Sequence, residues 1–162
     1  YMYAKRKEKQ HRLSLEHEQI NITKNNNKKV LIVSHPYNIY DKYLGTYIID
    51  YFTKNNISIL YADRLNRKIS KNYAYGLSNT LYWTYAKEQI GAIEYYKNII
   101  SGIIFISTYP CGVDSLVNEL MLKKINNIPT INIILDESTK EIGLETRLES
   151  FLDIIKEEKT ND

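Results

Sequence analysis

Short apolar runs alternate along the chain with longer segments whose apolar residues recur at helical spacing. The runs 30–33, 57–60, 103–106 and 131–135 are rich in Val, Ile and Leu, as expected of strands buried on both faces. The segment after each run carries apolar residues three and four positions apart, which is the spacing of one helix face. The pattern predicts the element order βαβαβαβα.

This order predicts an α/β fold, with a parallel sheet covered by helices on both faces and joined by right-handed crossovers. We expect a four-stranded sheet in the order 2-1-3-4, a flavodoxin-like or half-Rossmann three-layer sandwich with an extra N-terminal helix. The helices are predicted to begin near residues 43, 81, 113 and 144. The polar, tyrosine-bearing residues 64–79 have no clear period, so we predict an irregular segment there.

The first part of the chain has a different composition. Between residues 3 and 19 large aliphatic side chains are rare among Lys, Glu, Gln and His, and an Asn- and Lys-rich run follows at 25–29. We predict a helix that packs weakly or belongs with a neighbouring domain, then a linker. We therefore divide the chain into residues 1–27, attributed to an upstream region of a longer protein, and a Rossmann-like domain at 28–162.

Charge and cysteine content exclude several classes of protein. The formal net charge is +3, and the basic excess lies within the first 29 residues rather than across the fold, so we expect no nucleic-acid partner. No apolar run approaches the roughly 20 residues of a membrane span, and no signal peptide is visible. A single cysteine excludes an internal disulfide and fits a reducing cytoplasm.

That cysteine, Cys111, lies between the third predicted strand and the helix that follows it. Pro110 and Gly112 indicate a turn, and Asp114 or Ser115 can cap the new helix. Free N–H groups and the helix dipole favour a thiolate there, as a nucleophile or a metal ligand. A lone cysteine is also often a small buried apolar residue, and the pattern leaves both interpretations open.

The other candidate residues also follow predicted strands. His35 is a candidate ligand or acid/base group, although a lone histidine is more often structural. Asp41 is expected to cap a helix. Asp136 and Glu137 lie next to each other, so their repulsion can raise one pKa, although exposed acids are common at such edges. Arg147 and Glu149 are candidates to clamp an anion or to brace the last loop, and we expect bracing. The four loops at this edge are 34–43, 61–66, 107–114 and 136–143.

Several familiar motifs are absent. The six glycines form neither GxxxxGK[ST] nor GxGxxG, so the usual cradles for nucleotide phosphates are missing. No HxxxH or CxxC pair suggests zinc, and no GxSxG elbow suggests a serine hydrolase. An iron–sulfur cluster needs about four ligands, mainly cysteines, so one cysteine cannot hold it alone.

Five segments, in chain order, closely resemble the 2-hydroxyacyl-CoA dehydratase D-component-like region of acyl-CoA dehydratase activase-related proteins. These are the CoA-substrate-specific enzyme activases of anaerobic bacteria. The resemblance extends over roughly residues 28–155 and is more specific for the family than for an activity. The segments are Ser34–Asp41, Leu81–Trp83, Pro110–Leu116, Leu135–Glu137 and Glu145–Asp153.

The resemblance implies ATPase domains, related to iron–sulfur activators, that precede a region like the cluster-bearing dehydratase subunits. In such systems an ATP-driven activator injects one low-potential electron into a cluster held by cysteines. Cys111 would then be one ligand of a 4Fe–4S cluster whose other cysteines lie on a missing segment, with His35, Asp114 and Asp136 tuning the site. The implied partners are upstream ATPase or activator domains, dehydratase-like subunits and a CoA thioester.

The chain departs from the family pattern in two places. It has Ser138 where the family often has histidine after Asp-Glu, which removes a possible ligand from that loop. It has Val113 where the family often has proline, a neutral change at the first position of a helix. The expected function is therefore an electron-transfer or dehydratase-like domain without turnover of its own. The alternative is a non-catalytic binding or assembly domain, with Cys111 structural.

Overall fold

The computed structural model describes residues 2–40, 45–74, 83–108, 112–125, 127–135 and 141–157. Within them lies a four-stranded parallel sheet in the order β2-β1-β3-β4, as the alternating pattern predicts. In the register, Val30 of β1 is opposite Ile59 of β2 and Gly102 of β3. The strands are β1 (Lys29–Val33), β2 (Ser58–Tyr61), β3 (Gly102–Thr108) and β4 (Thr130–Leu135).

Helices precede, connect and follow these strands. The α-helices are α1 (Met2–Thr23), α2 (Pro36–Ile39), α3 (Gly45–Lys54), α4 (Arg67–Ala74), α5 (Thr84–Tyr96), α6 (Gly112–Lys124) and α7 (Glu141–Glu157). A 3₁₀ turn at Ala62–Arg64 follows β2 directly. Asn56, two residues after α3, has a φ of 61°. This left-handed conformation ends the helix, as the Asn-Asn pair predicts.

Alternate strand residues supply the two apolar layers on either side of the sheet. Val30 and Ile32 pack with α3 and α7, whereas Leu31 and Val33 pack with α5 and α6. All four side chains are at most 1% exposed. The central strands are therefore buried on both faces, which is why they appear in the sequence as continuous apolar runs.

Three predicted boundaries need correction. Residues 64–79 are not irregular throughout, because Arg64 ends the 3₁₀ turn and α4 spans Arg67–Ala74. The loop predicted at 34–43 contains the short helix α2. Helix α7 begins at Glu141, inside the loop predicted at 136–143. Arg147 of α7 donates a hydrogen bond to the backbone carbonyl of Asn132 in β4, and residues 136–140 of the loop it is expected to brace lie outside the described residues.

Helix α1 contacts the edge strand β2 through one buried glutamine. Gln19 is 1% exposed, and its Nε2 donates to the backbone carbonyl of Tyr61 at 2.7 Å and to the hydroxyl of Tyr96 at 2.9 Å. Its Oε1 accepts from the backbone N–H of Tyr61 at 3.0 Å. The carboxamide pairs with Tyr61 as a neighbouring strand would, so it satisfies part of an open sheet edge.

Replacing Gln19 with alanine is expected to lower the free energy of unfolding by about 2 kcal/mol, because both backbone groups of Tyr61 lose their partner inside the fold. Urea denaturation of the variant would measure the loss. His17→Ala, an exposed change on the same helix, is the control and should cost less than about 0.5 kcal/mol. Equal losses in the two variants would contradict a specific role for the carboxamide.

Candidate functional site

The fold has a point of strand-order reversal between β1 and β3. From β1 the chain goes to β2 on one side and later to β3 on the other. Helix α3, which leads to β2, belongs to the apolar layer on one face, and α6, which follows β3, belongs to the layer on the opposite face. The connections after β1 and β3 therefore diverge, and this is where parallel α/β sheets open a ligand crevice.

His35 lies at this point, held in a stack of three rings. Its ring centroid is 4.0 Å from that of Tyr85, with 10° between the planes, and 5.2 Å from that of Tyr37, with 13°. The hydroxyl of Tyr85 donates to the backbone carbonyl of Ser34 at 2.5 Å, which ties α5 to the end of β1. The imidazole is thus held in one orientation directly after the strand.

A buried amide lies in α2, three residues after His35. Asn38 and Ser34 are each 2% exposed, and Asn38 Nδ2 donates to Ser34 Oγ at 3.2 Å. Within the described part of the chain, Asn38 Oδ1 accepts no hydrogen bond. A buried acceptor without a partner is costly, so this oxygen is suited to a donor from water or a ligand.

Of the proposed cluster-site residues, the structure describes His35 and the backbone of Asp114. Cys111 and Asp136 lie outside the described residues, as do Asp41 and Glu137. Asp114 belongs to the first turn of α6, but its side chain is not described. The adjacent strands β1 and β3 bring His35 and the start of α6 to one edge of the sheet. That the side chains of Cys111, Asp114 and Asp136 join His35 in one site stays a prediction.

A second polar cluster, which sequence reasoning did not single out, lies at the end of β2. Arg64 is 9% exposed, and its guanidinium carbon lies 3.9 Å from the ring centroid of Tyr61. Its Nε and Nη2 donate to the hydroxyl of Tyr40 at 3.2 and 2.9 Å, and its Nη1 lies 3.5 Å from a carboxylate oxygen of Glu18. Arg64 therefore joins α1, the end of β2 and the residue after α2.

Asp63, next to Arg64, is a carboxyl group in an unfavourable environment. Its Oδ1 is buried and has no hydrogen-bond partner in the described structure. Burial raises the pKa of Asp63 above its ordinary value, and the positive charge of Arg64 opposes that rise. The sequence signal for this cluster was an Asp-Arg pair directly after a strand, but nothing in it indicated the contacts from Glu18 and Tyr40.

Two features are absent from the described residues. Among the described residues, no group of three or more His, Cys, Asp or Glu side chains could hold a metal ion. No helix in the described ranges is long and apolar enough to cross a membrane.

Comparison with known proteins gives no relative: no family model, no curated protein and no solved structure matches the chain.

Proposed function

We propose that this domain is the cluster-bearing, D-component-like part of an acyl-CoA dehydratase activase-related protein, and that it supports ATP-driven transfer of low-potential electrons. The observation that supports this most is the adjacency of β1 and β3. His35 follows the first of these strands and Cys111 follows the second, so both belong to connections at one edge of the sheet. Such an edge suits a site assembled from several loops.

The number of cysteines limits how many ligands this chain contributes to an iron–sulfur cluster. With one cysteine in the chain, it fits the role of one ligand rather than a complete cluster site. The remaining cysteines of the proposed 4Fe–4S cluster come from outside these 162 residues. When bound, the cluster would supply one-electron transfer at low potential.

The residues of this chain then have distinct proposed roles. The thiolate of Cys111 binds iron, and its place before α6 favours the charged form. His35, fixed by the tyrosine rings, is proposed to tune the cluster as a polar neighbour, since the polar groups around a cluster set its potential. Asp114 and Asp136 are proposed neighbours of the same site. The domain alone has no turnover, and its setting is a reducing cytoplasm.

Replacing Cys111 with alanine is expected to remove most of the iron and acid-labile sulfide from the natural protein that contains these residues, purified without oxygen. The electron paramagnetic resonance signal of the reduced cluster should fall or change with it, because a thiolate ligand is lost. Cys111→Ser should behave in the same way, since a hydroxyl keeps the size of the side chain but is a poor iron ligand. Thr108→Ala, at the end of β3, is the control and should keep the cluster.

The serine variant separates ligation from packing. If Cys111→Ser keeps the iron that Cys111→Ala loses, the cysteine acts by filling space. If the wild-type protein holds no cluster at all, the electron-transfer proposal is wrong.

A second candidate is a non-catalytic domain that binds a CoA thioester or a partner subunit. Exposed aromatic rings near His35 favour it: Tyr37 is 60% exposed, Tyr40 is 49% exposed and Trp83, before α5, is 46% exposed. Such rings can stack on an adenine. Trp83 is the only tryptophan, so its fluorescence reports on this edge. A wild-type protein without iron whose Trp83 emission is quenched by CoA would favour this candidate over the first.

A further inference from the structure

The first turns of α1 form an exposed basic surface. Every side chain from Tyr3 to His11 is exposed. We call residues 3–11 the basic arm, because they hold Lys5, Arg6, Lys7 and Lys9 with Glu8 as the one acid. A helix that is polar on all sides gains little from burial, and bridging to a neighbouring domain or chain is one of the few roles open to it.

The basic arm extends beyond the sheet. Gln19 contacts Tyr61 at the last residue of β2, while Asn25 donates to the Ser58 hydroxyl at the first residue. Helix α1 therefore runs antiparallel to β2, and the arm continues past the carboxyl edge for roughly 14 Å. Leu13, one turn after Lys9, is 45% exposed and adds an apolar side chain to the arm's base.

Helix α7 carries the opposite charge. Glu145, Glu149 and Asp153 follow one another at four-residue spacing, and all three are exposed. The four-residue spacing places them on one face of α7. Burial first, and then the charges of Glu149, Glu145 and Asp153, raise the pKa of the Tyr51 hydroxyl in α3. We call these three carboxylates the acidic ridge. Ile154 beside it is 51% exposed.

We propose that the basic arm of one copy of this chain binds the acidic ridge of a second copy. The two surfaces match in charge and in length: the arm and the ridge each cover nine residues, or roughly 14 Å of helix. Both surfaces are exposed in the single chain, so the arm does not cover the ridge of its own copy. Each copy has one arm and one ridge, so a pair can form two such contacts.

The contact between arm and ridge consists of exposed ion pairs, and this determines its strength. Exposed ion pairs are individually weak and are screened by salt beyond a Debye length of about 10 Å at 0.1 M. We therefore expect self-association of the full chain at low ionic strength, seen as a sedimentation coefficient that rises with protein concentration. The association should disappear at about 0.5 M NaCl, where the Debye length is only a few ångströms.

Charge reversal tests which surfaces meet. The arm variant Arg6→Glu/Lys9→Glu and the ridge variant Glu145→Lys/Glu149→Lys should each be monomeric, with a dissociation constant raised at least about tenfold. Mixing the two variants in equal amounts should restore the pair, because the acidic arm of one then meets the basic ridge of the other. The control is Glu119→Lys, an exposed reversal on α6 that should leave association unchanged.

Circular dichroism of each variant would show whether the fold is retained. A wild-type chain that stays monomeric at low salt would overturn the proposal, as would a mixture of the two folded variants that stays monomeric. In either case the arm would have another acidic partner, such as a different protein or an anionic membrane. These outcomes are independent of iron content, so they do not bear on the proposed cluster.

Discussion

Replacing Gly91 with alanine is expected to lower the free energy of unfolding by about 3 kcal/mol, because α4 crosses α5 at this residue without room for a side chain. A β-carbon at Gly91 would lie 1.8 Å from the backbone oxygen of Ser70 and 2.6 Å from its carbonyl carbon. The obstacle is main chain, so one helix must move. That movement would also break the hydrogen bond from the Ser70 hydroxyl to the carbonyl of Glu88.

Denaturation in urea would measure this loss, with Gly143→Ala as the matched control. Nothing lies within 4 Å of a β-carbon at Gly143, which is in the first turn of α7. There the same change should be neutral or should stabilise the fold by up to about 1 kcal/mol, since alanine is the better helix former. Similar effects at the two glycines would show that helix propensity, not the close crossing, determines the result.

The close crossing also explains why α4 was not predicted. The residues that α4 buries include Ser70 and Ala74, one turn apart, and they face Gly91 and its neighbours in α5. Small residues pack closely without forming an apolar stripe, so a search for large side chains at helical spacing finds nothing. The sheet was predictable for the opposite reason, because its strands are apolar on both faces and alternate regularly with helices.

Only those parts of the candidate site that follow from the order of strands and loops along the chain could be predicted. A loop that follows a strand must lie at the carboxyl edge of a parallel sheet, which is enough to place His35 there. The rings around it come from positions that no local pattern connects, since Tyr85 is fifty residues away along the chain. The same holds for Arg64, whose partners Glu18 and Tyr40 belong to segments before β1 and after it.

Replacing Arg64 with alanine is expected to cost about 3 kcal/mol near pH 7. The change removes the guanidinium from the face of Tyr61 and both hydrogen bonds to the hydroxyl of Tyr40. It also leaves the carboxylate of Asp63 without its neighbouring positive charge in a buried position. Lys71→Ala, an exposed change on α4, is the control and should cost less than about 0.5 kcal/mol.

The cost of Arg64→Ala should depend on pH, with a sign set by Asp63. Burial raises the pKa of Asp63 in the folded state, and the loss of Arg64 raises it further. A carboxyl group with a folded-state pKa above its unfolded value binds its proton more tightly when folded. The folded state is therefore favoured as the pH falls through that pKa, and disfavoured above it. The deficit of the variant should shrink between about pH 7 and pH 4.

Combining Arg64→Ala with Asp63→Asn isolates this contribution, because asparagine stays neutral throughout that range. If the carboxylate is the source of the pH dependence, the double variant should be more stable than Arg64→Ala at pH 7. Its stability deficit relative to the wild-type protein should then be the same at pH 7 and at pH 4. A double variant as unstable as Arg64→Ala at both pH values would assign the loss to the contacts with Tyr40 and Tyr61 alone. Arg64 would then stabilise the region by joining α1, β2 and α2 rather than by compensating a buried charge.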